Sequence, residues 1–375
     1  MLSRLYADNF RCLVNFELNL GRIVLLLGPN GAGKSTIFDL LERLRRLVVD
    51  GARIDDCFTS ADLTAWETRF EQRFELDMVR DDAHVFRYAL TISHDPDRRR
   101  VRIERETLHL DGQALFEFAV DGSEARARLF RDDGSAGGEY LFDWSRSGVG
   151  ALPERPDNTQ LTWFRRRLGS LLVVRPNPML IGGETREEVT RPDPRLGNFA
   201  SWYRWLSQEQ PGAVMALNTA LREVLPGFDV LRLRQSGEAK LLEATMQGPD
   251  GRRMAWRLGD LSDGERALIA LYTLLHCLPD DGATLCVDEP ENFLALPEIG
   301  PWLDRFDERC AEPPQQGILI SHHPRPINLL ARDAGYWIDR DGPLAPTRVR
   351  RIEPGTGAAG VSMDQLVERG WVFDE

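Results

Sequence analysis

The sequence has almost no lysine. Of its 47 basic residues only Lys34 and Lys240 are lysines, and the other 45 are arginines. In a chain that uses arginine at nearly every cationic position, each surviving lysine needs its own explanation. Cysteine is also scarce: Cys12, Cys57, Cys277, Cys286 and Cys310 make an odd number and contain no C-x-x-C pair. That pattern argues against a disulfide framework or a zinc site and leaves small buried hydrophobes. No apolar run approaches the ~18 residues that span a bilayer, and the N-terminus MLSRLYADNFR lacks the charged and apolar regions of a signal peptide. A soluble, cytoplasmic protein with no membrane partner is expected. Internal repeats and sustained heptads are missing too, so no long coiled coil is expected. Excess positive charge is absent: the net charge is −12. This excludes a uniformly basic nucleic-acid surface but leaves room for a local basic groove.

What is present is ample apolar material. With 375 residues, 42% hydrophobic, nine Trp and 17 Phe, the chain can bury a sizeable core as two to three domains or as one large domain with an insertion. Polar and apolar residues alternate through Leu2 to Ala7 and Val14 to Leu20. A continuous apolar run, Ile23 to Leu27, then ends at Gly28, and helical spacing follows from Gly33 to Val49. From Arg69 to Val120 the period becomes two, with an Asp111-Gly112 turn, which predicts antiparallel hairpins. Residues 121–160 are rich in Gly, Asp and Ser, and helical periodicity returns over Phe199 to Val224. From about Arg252 helices alternate with buried strands, as in parallel βαβ units. Three segments are expected: 1–120, an N-terminal lobe with the antiparallel β subdomain; 121–245, a mostly helical insertion; and 246–375, a C-terminal lobe.

GPNGAGKST, Gly28 to Thr36, fits G-x-x-x-x-G-K-[ST] between a buried strand and a helix. In such a loop the backbone N–H groups of Asn30, Gly31, Gly33 and Thr36 cradle phosphates, Lys34 brings a compact charge to them, and Ser35 offers a hydroxyl to Mg²⁺. TLCVDEPEN, Thr284 to Asn292, is a buried strand ending in two carboxylates. Asp288 is suited to the Mg²⁺ shell, and Glu289 to orienting and deprotonating an attacking water. LSDGER, Leu261 to Arg266, opens a helix. Ser262 and Glu265 make a capping box, and the Ser262 hydroxyl, the Gly264 backbone and the helix N-terminus also make an anion site. These two readings are compatible.

In order, these three motifs and ILISHHP, Ile318 to Pro324, resemble the Walker A, signature, Walker B and switch-histidine motifs of ABC-type ATPases. NFRCLVNFELNL (Asn9 to Leu20), the D-E-P-E form at Asp288 to Glu291 and the S-H-x-P form at Ser321 to Pro324 resemble the RecF/SMC/OLD branch of genome maintenance and phage defence. The resemblance implies an α/β P-loop NTPase of the ABC-ATPase head type, with an antiparallel β subdomain and a helical insertion. It implies ATP and Mg²⁺ as cofactors, with Lys34, Glu289 and His322 catalytic. It also implies a head-to-tail dimer in which Ser262 and Gly264 of one chain close over the nucleotide on Lys34 and Ser35 of the other. With no nuclease, helicase or membrane segment visible, the output is expected in a partner chain, a co-encoded nuclease or toxin of an anti-phage system, with DNA as a further partner. RecF-like DNA repair, a transport-type subunit and a scaffold without turnover are the alternatives. The long stretch from Lys34 to Ser262 counts against the transport-type subunit.

Other features are secondary. Arg11 could reach the nucleotide or sit on the surface, and Gln72 could be a Q-loop residue or an ordinary strand residue. His322-His323 could bind metal only with a third ligand. Related sequences have L-H-P where this one reads Leu294, Ala295, Leu296, Pro297, so the D-loop His is missing. WIDRDG, Trp337 to Gly342, contains D-x-D, but a strand turn is expected because too little chain follows for a nuclease module. The basic runs Arg98 to Arg100 and Arg165 to Arg167 could meet phosphates, although a solvated face is the simpler reading.

Overall fold

The computed structural model of the protein describes residues 1–80, 83–98, 100–121, 124–279, 281–311, 314–353 and 361–369. The chain opens with β1 (Leu2–Asp8), β2 (Phe16–Asn19), β3 (Ile23–Leu27), α1 (Lys34–Val48) and the short α2 (Ile54–Cys57). A run of strands follows: β4 (Glu71–Arg80), β5 (His84–Asp95), β6 (Arg100–Leu110), β7 (Gln113–Asp121), β8 (Glu124–Phe130) and β9 (Ala136–Leu141). Next come α3 (Gly148–Ala151), α4 (Thr159–Gly169), β10 (Leu171–Val174), β11 (Glu184–Thr185), α5 (Phe199–Glu209) and α6 (Pro211–Val224). β12 (Phe228–Ser236), β13 (Ala239–Gln247) and β14 (Arg253–Arg257) lead to α7 (Asp263–His276) and β15 (Thr284–Asp288). The last elements are α8 (Ile299–Ala311), β16 (Gln316–Ile320), α9 (Pro324–Ala334), β17 (Gly335–Asp339), β18 (Arg348–Arg351) and α10 (Met363–Glu368).

The continuous apolar runs form the central sheet, in the order β10-β15-β16-β3-β17-β18. All its pairings are parallel except the β17–β18 hairpin. Both faces are covered, which is why these strands do not alternate with polar residues. Strand period divides each run between two cores. Val24, Leu26, Cys286, Ile318 and Ile320 face the core shared with α1, α4 and the antiparallel sheet. Leu25, Leu27, Leu285, Val287 and Leu319 face the core shared with α5 to α9. All five cysteines are free and buried, as expected of small hydrophobes.

The second sheet is antiparallel, β2-β1-β4-β5-β6-β7-β8-β9. Gln316, fully buried at the start of β16, ties it to the first: its Nε2 donates to Leu2 O and to Gly21 O, both at 2.7 Å, while Leu2 N–H donates to its Oε1 at 3.0 Å. A small sheet of β11, β12, β13 and β14 lies among the helices.

One expectation is corrected here. Residues 121–245 are not mostly helical: β8 and β9 extend the antiparallel sheet past residue 120, β10 belongs to the parallel sheet, and β11, β12 and β13 pair with one another. The Gly, Asp and Ser content of residues 121–160 read as loop and hid the short alternating run Glu124–Phe130. Among the described residues no helix is longer than the 15 residues of α1, so there is no long coiled coil, and none is long and apolar enough to cross a membrane.

Candidate active site

In a parallel sheet the chain leaves every strand at the same edge, and this edge is where side chains from distant segments meet. β3 leads into the loop Gly28 to Gly33, β15 ends in Asp288 followed by Glu289, and β16 leads to Ser321 and His322. β10 is followed by Arg175, and β17 by Arg340. These ends line one cavity of about 590 Å³ with Asn30, Gly31, Gly33, Lys34, Ser35, Thr36, Arg175, Asp288, Glu289, His322 and Arg340 on its wall.

The loop is wedged in place. Gly28 has φ 138°, and a Cβ there would sit 1.9 Å from Ile338 O in β17. Gly33, at φ 108°, would press a Cβ against Thr347 Oγ1 at 2.6 Å and Cys12 Sγ at 2.9 Å. Only glycine fits either position. Lys34 is buried, and its Nζ donates to Gly28 O at 2.6 Å and Pro29 O at 2.9 Å. Burial pulls its pKa down, opposed by the charges of Asp288 and Glu289.

Ser35 Oγ donates to Asp288 Oδ2 at 2.9 Å, so the two residues read as Mg²⁺ ligands lie in direct contact. Asp288 is 5% exposed, and its Oδ1 has no hydrogen-bond partner. A carboxylate oxygen left unpaired in a buried position beside a hydroxyl suits a hard divalent cation with oxygen ligands, so the residues fit Mg²⁺. Burial pushes the Asp288 carboxyl up, Arg175 and Ser35 hold it down, and Glu289 adds repulsion.

Glu289 has φ 53°, a left-handed conformation that is uncommon for a residue with a side chain, and its N–H donates to Ile320 O at 2.8 Å. This turn carries the carboxylate away from the strand and onto the cavity wall. Asn292 Nδ2 donates to its Oε2 at 2.9 Å. His322 is held through Glu291, whose Oε1 accepts from Ser321 Oγ at 2.7 Å and from His322 N–H at 3.1 Å. Burial, then the nearby Lys34 charge, lowers the His322 pKa. The adjacent His323 points elsewhere: its Nδ1 accepts from Arg325 N–H and caps α9, so the pair is not a metal site.

Ser262 and Gly264 are not on this cavity. They open α7, where Ser262 and Glu265 form a reciprocal capping box, with Ser262 N–H to Glu265 Oε2 at 2.9 Å and Glu265 N–H to Ser262 Oγ at 3.3 Å. Ser262 is exposed at the helix start.

The remaining secondary features resolve into support. Arg11 lines the cavity, but its guanidinium is engaged by Asp39 at 2.9 Å and Asp62 at 3.1 Å. Asp339 and Asp341 pair with Arg350 and Arg348 across the β17–β18 hairpin, and no metal cluster occurs among the described residues. Arg165 and Arg166 pair with Glu154, Arg167 is buried against Thr284, and Arg100 lies over the Trp144 ring. Arg99 lies outside the described residues.

Gln72 is a buried brace. Its Nε2 donates to Asn9 O at 2.9 Å and Asp62 O at 3.2 Å, and its Oε1 accepts from His94 Nε2 at 2.9 Å. It therefore supports the segment that carries Arg11 and Cys12 to the cavity. His94 Nδ1 is buried without a partner, and burial lowers the ring's pKa from 6.5 to about 4. Between those values the unfolded chain takes up the proton and the folded chain resists it. The stability His94 contributes is thus present above pH 6.5 and lost as pH falls toward 4. Urea titrations across that range are expected to show a steeper fall in stability for the parent than for His94→Gln; equal slopes would remove His94 as a cause.

Sequence reasoning missed Arg175, Trp66 and Arg340. The Arg175 guanidinium Nη2 donates to Ser35 Oγ at 2.8 Å and lies 2.6 Å from Asp288 Oδ2. Arg340 lies over the Trp66 ring at 5.5 Å and donates to Gly31 O at 3.2 Å, at a part of the cavity also lined by Cys12, Ala61, Leu63 and Ala65. No short motif marked any of the three.

Two solved structures resemble the chain over 94% of its length. They are an SMC head domain from Thermotoga maritima (15% identity, 99% of that chain, TM-score 0.47) and an SMC head bound to the C-terminal winged-helix domain of ScpA (16% identity, 98% of that chain, TM-score 0.49). The OLD nuclease of Thermus scotoductus (strain ATCC 700910 / SA-01) is 50% identical over 42 residues, which is 11% of this chain and 8% of that protein. The chain thus matches only a small part of that relative. The family model described as "AAA domain, putative AbiEii toxin, Type IV TA system" matches residues 23–325, from β3 and the glycine loop through α7, Asp288 and His322 to the start of α9. With most of the chain and every one of these site elements inside that match, the protein belongs to this AAA-domain family of P-loop ATPases.

Proposed function

We propose that the chain binds and hydrolyses ATP with Mg²⁺ at this cavity and uses nucleotide-dependent self-association to control a partner effector. The observation that carries the reading is the convergence of Lys34, Ser35, Asp288, Glu289 and His322 on one cavity wall, with Ser35 bonded to Asp288. Mg²⁺, when bound, would neutralise phosphate charge and polarise the transferred group. Ser35 and Asp288 would hold it. The loop N–H groups and Lys34 bind the phosphates, Glu289 orients the attacking water and takes its proton, and His322, held neutral by burial and by Lys34, contacts the terminal phosphate.

Ser262, exposed at the α7 N-terminus, and the half-buried Gly264 beside it serve the cavity of a second copy packed head to tail. The family description names a toxin–antitoxin system and one relative is named a nuclease. An effector of that kind is the proposed partner, with DNA engagement as the trigger to be tested. Phosphate release by the purified chain, with sedimentation in the presence and absence of ATP, tests the core of the proposal. Absence of both phosphate release and an ATP-dependent change in mass would reject it. Trp66 and Arg340 are proposed as the platform for the base. Trp66→Ala is expected to raise KM by roughly tenfold, in line with about 1–3 kcal/mol for an aromatic–base stack, with kcat little changed. An unchanged KM in steady-state kinetics would move the base elsewhere.

A further inference from the structure

Arg175 follows β10 directly and precedes Pro176. Its backbone is fixed, with its N–H donating to Pro194 O at 2.6 Å, and Pro176 further restricts it. Its side chain is 54% exposed, so it reaches from the cavity toward a carboxylate that is nearly closed off from water. There a single nitrogen, Nη2, contacts both Ser35 Oγ and Asp288 Oδ2. Ser35 and Asp288 are the two residues that suit a divalent cation. Burying a carboxylate is costly without a positive partner, and here the guanidinium provides it.

We propose that Arg175 is a built-in counter-ion that competes with the divalent cation for Ser35 and Asp288, so that cation entry and Arg175 release are one exchange. The inference rests on the reading of this cavity as an ATP·Mg²⁺ site. The two cations cannot share these atoms. Arginine does not lose its proton, and like charges a few ångströms apart beside a carboxylate nearly closed off from water repel. The metal must therefore displace the side chain, which can swing once it leaves Ser35 and Asp288 because it is more than half exposed and its backbone alone is fixed elsewhere. Once released, a planar cation on the cavity wall is suited to a phosphate oxygen. The nucleotide thus supplies the new partner, and metal arriving alone has none to offer. Arg175 couples the two ligands: it penalises metal without nucleotide and removes that penalty when both are present.

The test uses the full chain and Mn²⁺ as the probe, with free metal followed by electron paramagnetic resonance in the absence of nucleotide. Arg175→Ala and Arg175→Gln are expected to bind Mn²⁺ at least about tenfold more tightly than the parent, and Arg175→Lys, which keeps the charge, to stay within about threefold of it. Unchanged or weaker Mn²⁺ binding by both neutral variants would overturn the exchange. Should the alanine variant fail to fold by circular dichroism, the glutamine and lysine variants decide on the same criterion. Binding of a fluorescent ATP analogue in chelator, measured in parallel, separates the two readings. Its absence in the parent would sink the nucleotide site, while the Mn²⁺ comparison still decides the exchange.

Discussion

Replacing Glu289 with glutamine is expected to lower ATP turnover by about 10²- to 10⁴-fold, the range a positioned general base contributes, while nucleotide binding persists. The substitution is nearly isosteric. A glutamine side chain still offers an oxygen to Asn292 Nδ2, and the Glu289 N–H to Ile320 O bond belongs to the backbone, so the turn after β15 should keep its shape. What is lost is proton acceptance at one point on the cavity wall. Lys34, Ser35 and Asp288 remain, so phosphate binding remains, and a chain that binds ATP without turning it over should accumulate in its closed, self-associated form. Phosphate release gives the first quantity, and sedimentation velocity with ATP gives the second, as a shift toward twice the 42.6 kDa chain mass. Turnover at the parent rate would remove Glu289 as the base. Loss of turnover with no ATP-dependent shift would leave the base in place and count against head-to-tail closure.

Much of this site was legible because its chemistry is local in sequence. A glycine loop between a buried strand and a helix, and two carboxylates at the end of a buried strand, carry both their residue types and their placement in a few consecutive positions. The parallel sheet then brings them together, since Ser35 and Asp288 meet through the β3–β16–β15 pairings although 253 positions separate them. Arg175 was not legible in the same way. Its role depends on β10 lying beside β15, with Val174 opposite Val287, a register that no short motif encodes. Trp66 was hidden for a similar reason: it lies on an irregular segment, and the arginine over its ring, Arg340, comes from the far end of the chain. Gln72 was better served by its pattern than by its residue type: a place in a period-two strand favours an ordinary strand residue, and the alternation of β4 buries it against Asn9, Asp62 and His94. The short strand β8 was missed because the Gly, Asp and Ser on either side of it dominated the composition.

Lys34→Arg is expected to weaken ATP binding by at least about 100-fold, roughly 2.7 kcal/mol, and to abolish measurable turnover, although the charge is preserved. The ammonium of Lys34 donates to Gly28 O and Pro29 O and is 6% exposed at the residue level, so little space surrounds it. A guanidinium is larger and planar, and it cannot direct its N–H groups to two carbonyls of one tight turn and also to a phosphate. The loop cannot widen to receive it. Gly28 is backed by the β17 carbonyl of Ile338, and Gly33 by Thr347 and Cys12. Arginine would be forced either into the phosphate space or out into the cavity. Equilibrium binding of a fluorescent ATP analogue and phosphate release measure the two losses, and a melting temperature close to the parent's would show that the fold survives. Parent-like binding would mean that the loop is looser than its contacts imply. Lys240 is the internal control, because it lies half-buried on β13, away from the lining of this cavity, where a long cation needs no particular shape. Lys240→Arg should leave binding and turnover unchanged, so that of the two lysines in an arginine-rich chain, only the one enclosed by the glycine loop resists exchange.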